Sequence, residues 1–278
     1  MKKIIVLTMC ICLLAGITNG QKMYLRFGLG GGPGLKQYNG TEWADNTYTG
    51  TADNYVIKSE GLGGGLNANL AFGFMMSKYI GFDIGFNTFV GLSKTANYSS
   101  SSGGGSSSAE AKVSGMMVQI VPAIVITPGL EKINPYARIG LIVAPLSKVV
   151  EKGTSNSSGS VYKSTSSSSS AVKLYGGLAV GFTAAGGADF NLGKRIAIYA
   201  ELVYNGITYA PSKGKYTEMT INGVDKLPSA TTKQKEWTFE KEFNSNETIP
   251  DGSPNKQAKI SFNFSNVELN AGIKIKLK

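Results

Sequence analysis

The sequence contains no histidine, and its two cysteines, Cys10 and Cys12, both lie near the N-terminus. Without histidine the chain has no Ser-His-Asp or Cys-His catalytic arrangement, no imidazole general base and no imidazole metal ligand. Both cysteines fall in an apolar run that we expect to be removed with a signal peptide, which leaves no disulfide, thiolate nucleophile or cysteine-based metal site. These absences predict a chain that is not an enzyme and has no cofactor and no metal site.

Long apolar runs are also scarce and are confined to the N-terminus. Two lysines precede an apolar run over residues 4–14, which matches the roughly 7–15 residues of a signal-peptide core. The run is shorter than the ~20 apolar residues that a spanning helix needs. Thr18 and Gly20 are small residues suited to a cleavage site. We therefore expect residues 1–20 to be a secretory signal peptide and residues 21–278 to form one mature domain.

Downstream of this run, apolar and polar residues alternate with a period of two. In the final stretch Val267, Leu269 and Ile273 alternate with Glu268 and Lys274. A period of two puts the two sets on opposite faces of a β-strand, and the same pattern recurs upstream. The eight strands that it predicts cover residues 23–35, 61–75, 79–93, 113–127, 135–149, 172–185, 195–210 and 259–277.

The connections between the predicted strands alternate in length. The short ones cover residues 76–78, 128–134 and 190–194, and the long ones cover residues 36–60, 94–112, 150–171 and 211–258. Short periplasmic turns and longer outside loops are typical of transmembrane barrels, whose strands cross a bilayer with about 9–11 tilted residues. The sequence therefore predicts an all-β fold, an eight-stranded antiparallel up-and-down transmembrane β-barrel with short periplasmic turns and four long external loops.

Two of the long connections are of low complexity. Residues 99–108 are serine and glycine only, and residues 154–170 are mostly serine. Such runs bury little apolar surface and behave as flexible coil, which is what we expect for both. The longest connection contains Trp237, and two structures are open for it: a mobile loop, or an extension of the last hairpin above the membrane.

The parity of each predicted strand assigns its residues to faces. On the third strand Ile80 and Phe86 share a face, and Asp83 lies on the opposite one. In a soluble barrel the apolar face would point inward, but the loop asymmetry and the strand length favour a membrane barrel with the polar face inside. The charges enclosed by such a barrel must pair, because an unpaired buried charge is costly. The predicted lumen ion-pair network comprises Arg26, Arg138, Lys173, Arg195, Lys274 and Lys276 against Asp83, Glu201 and Glu268.

This network has two possible roles, a stabilising one and that of an ion path or gate.

Other motifs are weaker. Residues 28–34 and 61–65 are rich in glycine, but they lack the G-x-G-x-x-G spacing ahead of a helix that binds phosphate, so strand curvature explains them better. The net charge of +10 would suit nucleic acid, but the charges are dispersed and the chain is exported. We expect no nucleic-acid partner.

With its signal peptide, strand number, loop alternation and terminal strand VELNAGIKIKLK, the chain resembles the small outer-membrane β-barrel proteins of Gram-negative bacteria, of the OmpA/OmpX and OmpW type. The resemblance covers the whole mature chain. One departure is the C-terminus, since the family usually ends in an aromatic residue that the assembly machinery reads, whereas this chain ends in Leu277 and Lys278.

The resemblance implies a porin-family protein of the bacterial cell outer membrane, and three alternatives are open for its role. The first is a non-enzymatic barrel with a structural or surface-interaction role through its external loops. The second is a narrow porin-like channel for small solutes that leans toward anions, and the third is a soluble periplasmic barrel that binds a ligand. The expected partners are outer-membrane lipid, the barrel-assembly machinery and external molecules that the loops meet, and the expected state is a monomer.

Overall fold

The computed structural model describes residues 22–36, 43–58, 61–102, 104–159, 164–242 and 248–277. These residues are almost entirely β-structure, with 17 strands in one sheet and one short helix, α1 (Thr232–Lys235). No helix in this part of the chain is long and apolar enough to cross a membrane. The predicted signal peptide, residues 1–20, lies outside the described residues.

The strands differ widely in length. The longest, β7 and β8, have 22 and 27 residues, several times the usual five or six. In chain order the strands are β1 (Lys22–Gly32), β2 (Trp43–Tyr48), β3 (Asp53–Lys58), β4 (Gly65–Met75), β5 (Ile80–Gly91), β6 (Lys94–Ser102), β7 (Gly105–Ile126), β8 (Ile133–Gly159), β9 (Ser164–Tyr175), β10 (Ala179–Asn191), β11 (Ile196–Tyr209), β12 (Lys213–Ile221), β13 (Val224–Asp225), β14 (Glu236–Glu240), β15 (Asn255–Ala258), β16 (Phe262–Asn263) and β17 (Asn266–Lys276).

The prediction of an eight-stranded antiparallel up-and-down barrel with four long loops is wrong. The sheet has 17 strands and is mixed, because β2 pairs with β6, and β14 with β15, in parallel. Each predicted loop contains strands. The prediction failed because polar and serine-rich segments were assigned to coil for lack of apolar surface. Strand pairing depends on backbone hydrogen bonds, and serine in an extended chain does not prevent them.

Within this mixed sheet, eight strands pair side by side in a closed circuit, which we call the closed ring. The ring order is β1, β4, β5, β7, β8, β10, β11 and β17, and β17 pairs with β1; each of these pairings is antiparallel. Closure removes free strand edges along the paired segments. A ring of this size is narrow enough for side chains to fill its interior.

The remaining strands extend the sheet beyond one end of the closed ring. β7 and β8 pair with each other past the ring as far as Ser106 and Ser158, β6 and β9 flank them, and β12 follows β9. Hydroxyl groups also approach across neighbouring strands, as in Ser155 Oγ and Ser168 Oγ at 2.8 Å. The expectation of flexible coil is therefore wrong for the described serine-rich residues.

Three short turns join ring strands at the opposite end, at residues 76–79, 127–132 and 192–195. In the first turn, the backbone N–H of Ile80 donates a hydrogen bond to Ser77 Oγ at 3.0 Å. The closed ring therefore has a short-turn end and an end that continues into the extended strands.

One predicted strand, residues 172–185, is divided in two. Gly176 and Gly177 have φ angles of +74° and +79°, a left-handed conformation that glycine adopts without a steric penalty. They end β9 and lead into β10. Because of this turn, the alternation of faces that the prediction assumed from Lys173 to Thr183 is interrupted.

Burial alternates along the ring strands. On β11, Tyr199 and Glu201 are buried, whereas Ile198 and Leu202 are exposed. Large apolar side chains therefore cover the outside of the ring, and we call this surface the apolar belt. Members of the belt occur on all ring strands, for example Phe27, Leu70, Phe86, Ile124, Leu141, Val180, Leu202 and Ile273.

Candidate functional site in the ring interior

Four ring strands bring four charged side chains together in the interior. Arg26 lies on β1, Asp83 on β5, Arg138 on β8 and Glu201 on β11, and each occupies a buried position in the alternating pattern of its strand. Ring closure brings Arg26 and Glu201, which are 175 positions apart in sequence, into contact. All four belong to the network that the sequence predicted.

Glu201 lies at the centre of this group. One carboxylate oxygen, Oε2, is 2.8 Å from Arg26 Nη2 and accepts a hydrogen bond from Tyr136 OH at 2.9 Å. The other, Oε1, is 2.8 Å from Arg138 Nη2. Glu201 is only 2% exposed, so these bonds offset the large desolvation penalty of a buried carboxylate.

Arg26 links the ion pair to aromatic rings and to a second carboxylate. Its guanidinium carbon is 4.0 Å from the centre of the Tyr199 ring, a cation–π distance, and its Nη1 is 3.8 Å from Asp83 Oδ2. Tyr24 OH donates a hydrogen bond to the same Asp83 oxygen at 3.3 Å. Tyr24 on β1 and Tyr199 on β11 therefore hold the charged groups in place.

A second ion pair lies closer to the short turns. Lys274 Nζ is 2.6 Å from Asp189 Oδ2 and 4.2 Å from the centre of the Tyr24 ring. Lys276 Nζ donates a hydrogen bond to Asn191 Oδ1 at 2.6 Å. Sequence reasoning missed Asp189 because it ended the sixth strand too early. Continuing the strand beyond residue 185 with the parity of its polar face would have found it.

Glu268 is buried among amides. Its Oε1 accepts hydrogen bonds from the side-chain amides of Asn67 at 3.0 Å, Asn205 at 3.2 Å and Asn270 at 3.3 Å. Among the described residues no basic side chain forms an ion pair with it. Glu268 therefore belongs to the buried polar group as a hydrogen-bond acceptor.

Two predicted members of the network lie elsewhere. Lys173 is on β9, which belongs to the extended strands, and its Nζ is 5.6 Å from the ring centre of Tyr175. The turn at Gly176 and Gly177 separates it from the ring. Arg195 is exposed in the turn that precedes β11. Both residues lie beyond the enclosed segments of the ring, a position that the parity of a strand does not report.

The interior toward the extended strands is filled by apolar side chains, which we call the apolar plug. Phe264 lies at its centre, with ring centroids 6.1 Å from Phe89 and 6.2 Å from Tyr209. Tyr209 OH donates hydrogen bonds to the carbonyl oxygens of Ser147 and Gly176. The plug comprises Leu62, Phe89, Val113, Met117, Val121, Ile142, Ala144, Val149, Leu174, Ala179, Ile207, Tyr209, Trp237, Phe262 and Phe264.

Trp237 reaches the plug from the long connection between β11 and β17. It lies on β14, which pairs with β12 so that Trp237 is opposite Gly214. Any side chain at Gly214 would overlap the indole, so glycine makes room for it. The long connection therefore contributes to the interior. Sequence reasoning had no long-range signal that could place Trp237 there.

Glu151 marks the outer border of the plug on β8. It is opposite Val113 on one neighbouring strand and Val172 on the other. Burial raises the pKa of its carboxyl group above the usual range. The plug therefore meets, at Glu151, a carboxylate whose charge its surroundings disfavour.

The interior as a whole combines paired charges with packed apolar groups. Among the described residues, no group of three or more acidic, histidine or cysteine side chains is positioned to hold a metal ion. No family model and no curated protein matches the chain. The features of the ring that bear on function are therefore the apolar belt, the paired charges and the apolar plug.

Proposed function

We propose that the chain is a non-enzymatic protein of the bacterial outer membrane, whose closed ring crosses the bilayer and whose extended strands have a structural or surface-interaction role. The observation that carries the proposal is the apolar belt, which exposes large apolar side chains on every ring strand. Soluble monomers rarely expose apolar patches beyond a few hundred Å², whereas membrane barrels set such residues against lipid. The same ring has charged residues buried in its interior, so the apolar and charged faces of its strands are reversed relative to those of a soluble protein.

The dimensions of the ring strands support this proposal. The strands β1, β4 and β17 each have 11 residues, and about 9–11 tilted residues cross a bilayer. Ring closure also satisfies the backbone without water, which the bilayer core requires. We propose outer-membrane lipid and the barrel-assembly machinery as partners, a monomeric state, external partners for the extended strands, and kinship with the OmpA/OmpX and OmpW type.

A narrow channel that leans toward anions is the second candidate. Arg26, Arg138 and Lys274 in the interior favour it. Their pairing with Glu201 and Asp189, together with the apolar plug, favours a filled interior and puts the channel second. A soluble periplasmic ligand-binding protein is a poorer match, because it would leave the apolar belt in water.

Substitution within the belt tests the proposal. Leu141 on β8 is 59% exposed. In water, Leu141→Lys would be close to neutral, whereas a lysine facing lipid near the midplane of a bilayer costs about 2–4 kcal/mol. We expect residues 21–278 to insert into phosphatidylcholine vesicles, measured by flotation and heat-dependent gel mobility, and Leu141→Lys to insert poorly.

The matched control is Val224→Lys, which changes an equally exposed apolar residue on β13, in the extended part. It should insert like the unchanged chain. If the chain and both variants fold without lipid and stay out of the vesicle fraction, the membrane proposal fails.

A further inference from the structure

The outer face of the extended strands carries a group of lysines on four neighbouring strands. β7 contributes one, β8 two, β9 one and β12 two, and all are exposed or half-buried. Their positions alternate with the buried residues Val113, Val149, Leu174 and Gly214, so they lie on the outer face of the sheet. The lysine patch comprises Lys112, Lys148, Lys152, Lys173, Lys213 and Lys215.

Strand register arranges the lysine patch around Tyr175. Tyr175 is opposite Lys148 on β8 and Lys213 on β12, so a lysine flanks it on each side. In the next row Lys173 is directly opposite Lys215, and the two Nζ atoms are 5.6 Å and 5.9 Å from the centre of the Tyr175 ring. Like charges that face each other across strands destabilise a sheet. A bound anion would therefore stabilise this arrangement.

The protein supplies little of the compensating charge itself. Lys112, in the outermost row, pairs with Glu110 at 2.8 Å. Within the described ranges, the other five lysines of the patch have no carboxylate within ion-pair distance. Glu218 accepts a hydrogen bond from Ser169 Oγ at 2.8 Å, and Glu236 is opposite Lys215 in the strand register without forming an ion pair in the described chain.

The lysine patch begins where the apolar belt ends. On β8 the last strongly exposed apolar residue is Leu146, at 67%. Lys148 follows two residues later, a rise of about 7 Å along a strand. Tyr175 in the same row has the amphipathic ring that favours the headgroup level of a membrane. The patch is therefore at the height at which lipid phosphates would lie if the belt is in the bilayer.

We infer that the lysine patch binds the phosphate groups of anionic lipids in the external leaflet. The inference rests on the proposed membrane function. It deepens that function by naming the lipid class that the extended strands contact. A lysine acts as a point charge toward phosphate, and each lysine near an anionic surface strengthens binding about fivefold. Continuity with the belt favours a lipid over a soluble acidic partner, which would have no reason to bind at this height.

The test compares two variants that each remove four positive charges. The patch variant carries Lys148→Gln, Lys173→Gln, Lys213→Gln and Lys215→Gln. The control variant carries Lys226→Gln, Lys233→Gln, Lys241→Gln and Lys259→Gln, which change lysines of the long connection between β11 and β17. Residues 21–278 are placed in nanodiscs of phosphatidylcholine with a minor fraction of phosphatidylglycerol. The phospholipid retained after mild detergent extraction is then measured by mass spectrometry.

We expect phosphatidylglycerol to be enriched with the unchanged chain and the control variant. The patch variant should lose the enrichment by at least about tenfold, because several lysines are removed at once. A double variant, Lys148→Gln with Lys213→Gln, should show a smaller loss and serves as a second measurement if the fourfold variant folds poorly. Equal loss in patch and control variants would mean a general charge effect and would overturn the inference, as would no enrichment with the unchanged chain.

A competition arm separates lipid from free phosphate. Inorganic phosphate should displace phosphatidylglycerol only weakly if the patch binds headgroups presented at a membrane surface. Displacement at low phosphate concentration would overturn the assignment to lipid. Failure of the proposed function is visible at an earlier step, because a chain that is not a membrane protein would not enter the nanodiscs at all.

Discussion

The two ends of the ring interior are filled by opposite kinds of side chain. Toward the short turns, ion pairs form around Glu201 and Lys274, whereas toward the extended strands apolar groups pack around Met117 and Phe264. Both ends exclude solvent, since these groups are almost fully buried. They differ in how they depend on their parts. Removing one charged partner leaves the other buried without a counter-charge. Removing apolar volume instead lowers the free energy of unfolding by an amount that grows with the cavity left behind.

The two ends of the interior contribute differently to the fold. The charges around Glu201 come from four ring strands, and a slip of one residue in any strand would turn its charge toward the apolar belt. The ion-paired end therefore favours one strand register over its alternatives. The apolar plug uses side chains of many sizes and closes the interior, including the part that the long connection supplies through Trp237.

The largest expected effect is at the ion-paired end. Glu201→Ala leaves the guanidinium groups of Arg26 and Arg138 buried without their shared carboxylate, which should lower the free energy of unfolding by about 3–5 kcal/mol. Urea unfolding in vesicles, followed by gel mobility, measures it. Glu110→Ala is the control, since its pair with Lys112 is about half exposed and such pairs contribute about 0–1 kcal/mol. Equal losses would contradict a special role for the buried pair.

At the apolar end, truncation of a single buried side chain should lower the free energy of unfolding by slightly less. Ile142 is fully buried in the plug, whereas Ile139 on the same strand is 62% exposed. Ile142→Ala should reduce the free energy of unfolding by about 2–4 kcal/mol, because it removes contacts and leaves a cavity. Ile139→Ala should have a clearly smaller effect in the same urea titration. A larger effect at Ile139 would mean that the outside of the ring is the packed core.

Adding volume to the closely packed plug should lower the free energy of unfolding by a smaller amount. A methyl group at Gly115 would overlap the ring of Phe264, whereas one at Gly186 would meet nothing within 4 Å. Gly115→Ala should cost about 1–3 kcal/mol through overpacking. Gly186→Ala should change stability little. Indistinguishable thermal unfolding of the two variants would show that Phe264 does not pack against Gly115.

The smallest effect concerns pH at the border of the plug. Because burial raises the pKa of Glu151, the folded state binds this proton more tightly than the unfolded state does. Its contribution is favourable at low pH and is lost as the pH rises through the raised folded pKa. Glu151→Gln should weaken this decline and increase stability at neutral pH, as measured by the urea midpoint across a pH series. Parallel pH curves for the two proteins would contradict the burial of the carboxylate.

Sequence reasoning succeeded where structure is periodic and failed where it depends on long-range pairing. The alternation on the third strand correctly put Asp83 inside and Phe86 outside. Local composition misassigned the serine-rich strands, because their pairing partners are distant in sequence, such as β2 for Ser99 and Ser100 and β8 for Ser106. The plug residue Trp237 and the lysine patch depend on strand register. Charge counts also hid the patch, since the predicted long connections, which hold four of its six lysines, contain 13 basic and 13 acidic residues.

The closed ring is proposed to cross a bilayer with a filled interior. Single-channel recording of residues 21–278 in a planar bilayer, from protein shown by flotation and gel mobility to be folded and inserted, tests it most directly. We expect a silent bilayer, because the ion pairs and the apolar plug leave no water path. Discrete conductance steps that change in size with Arg138→Ala or Glu201→Ala would contradict the filled interior and put the channel first.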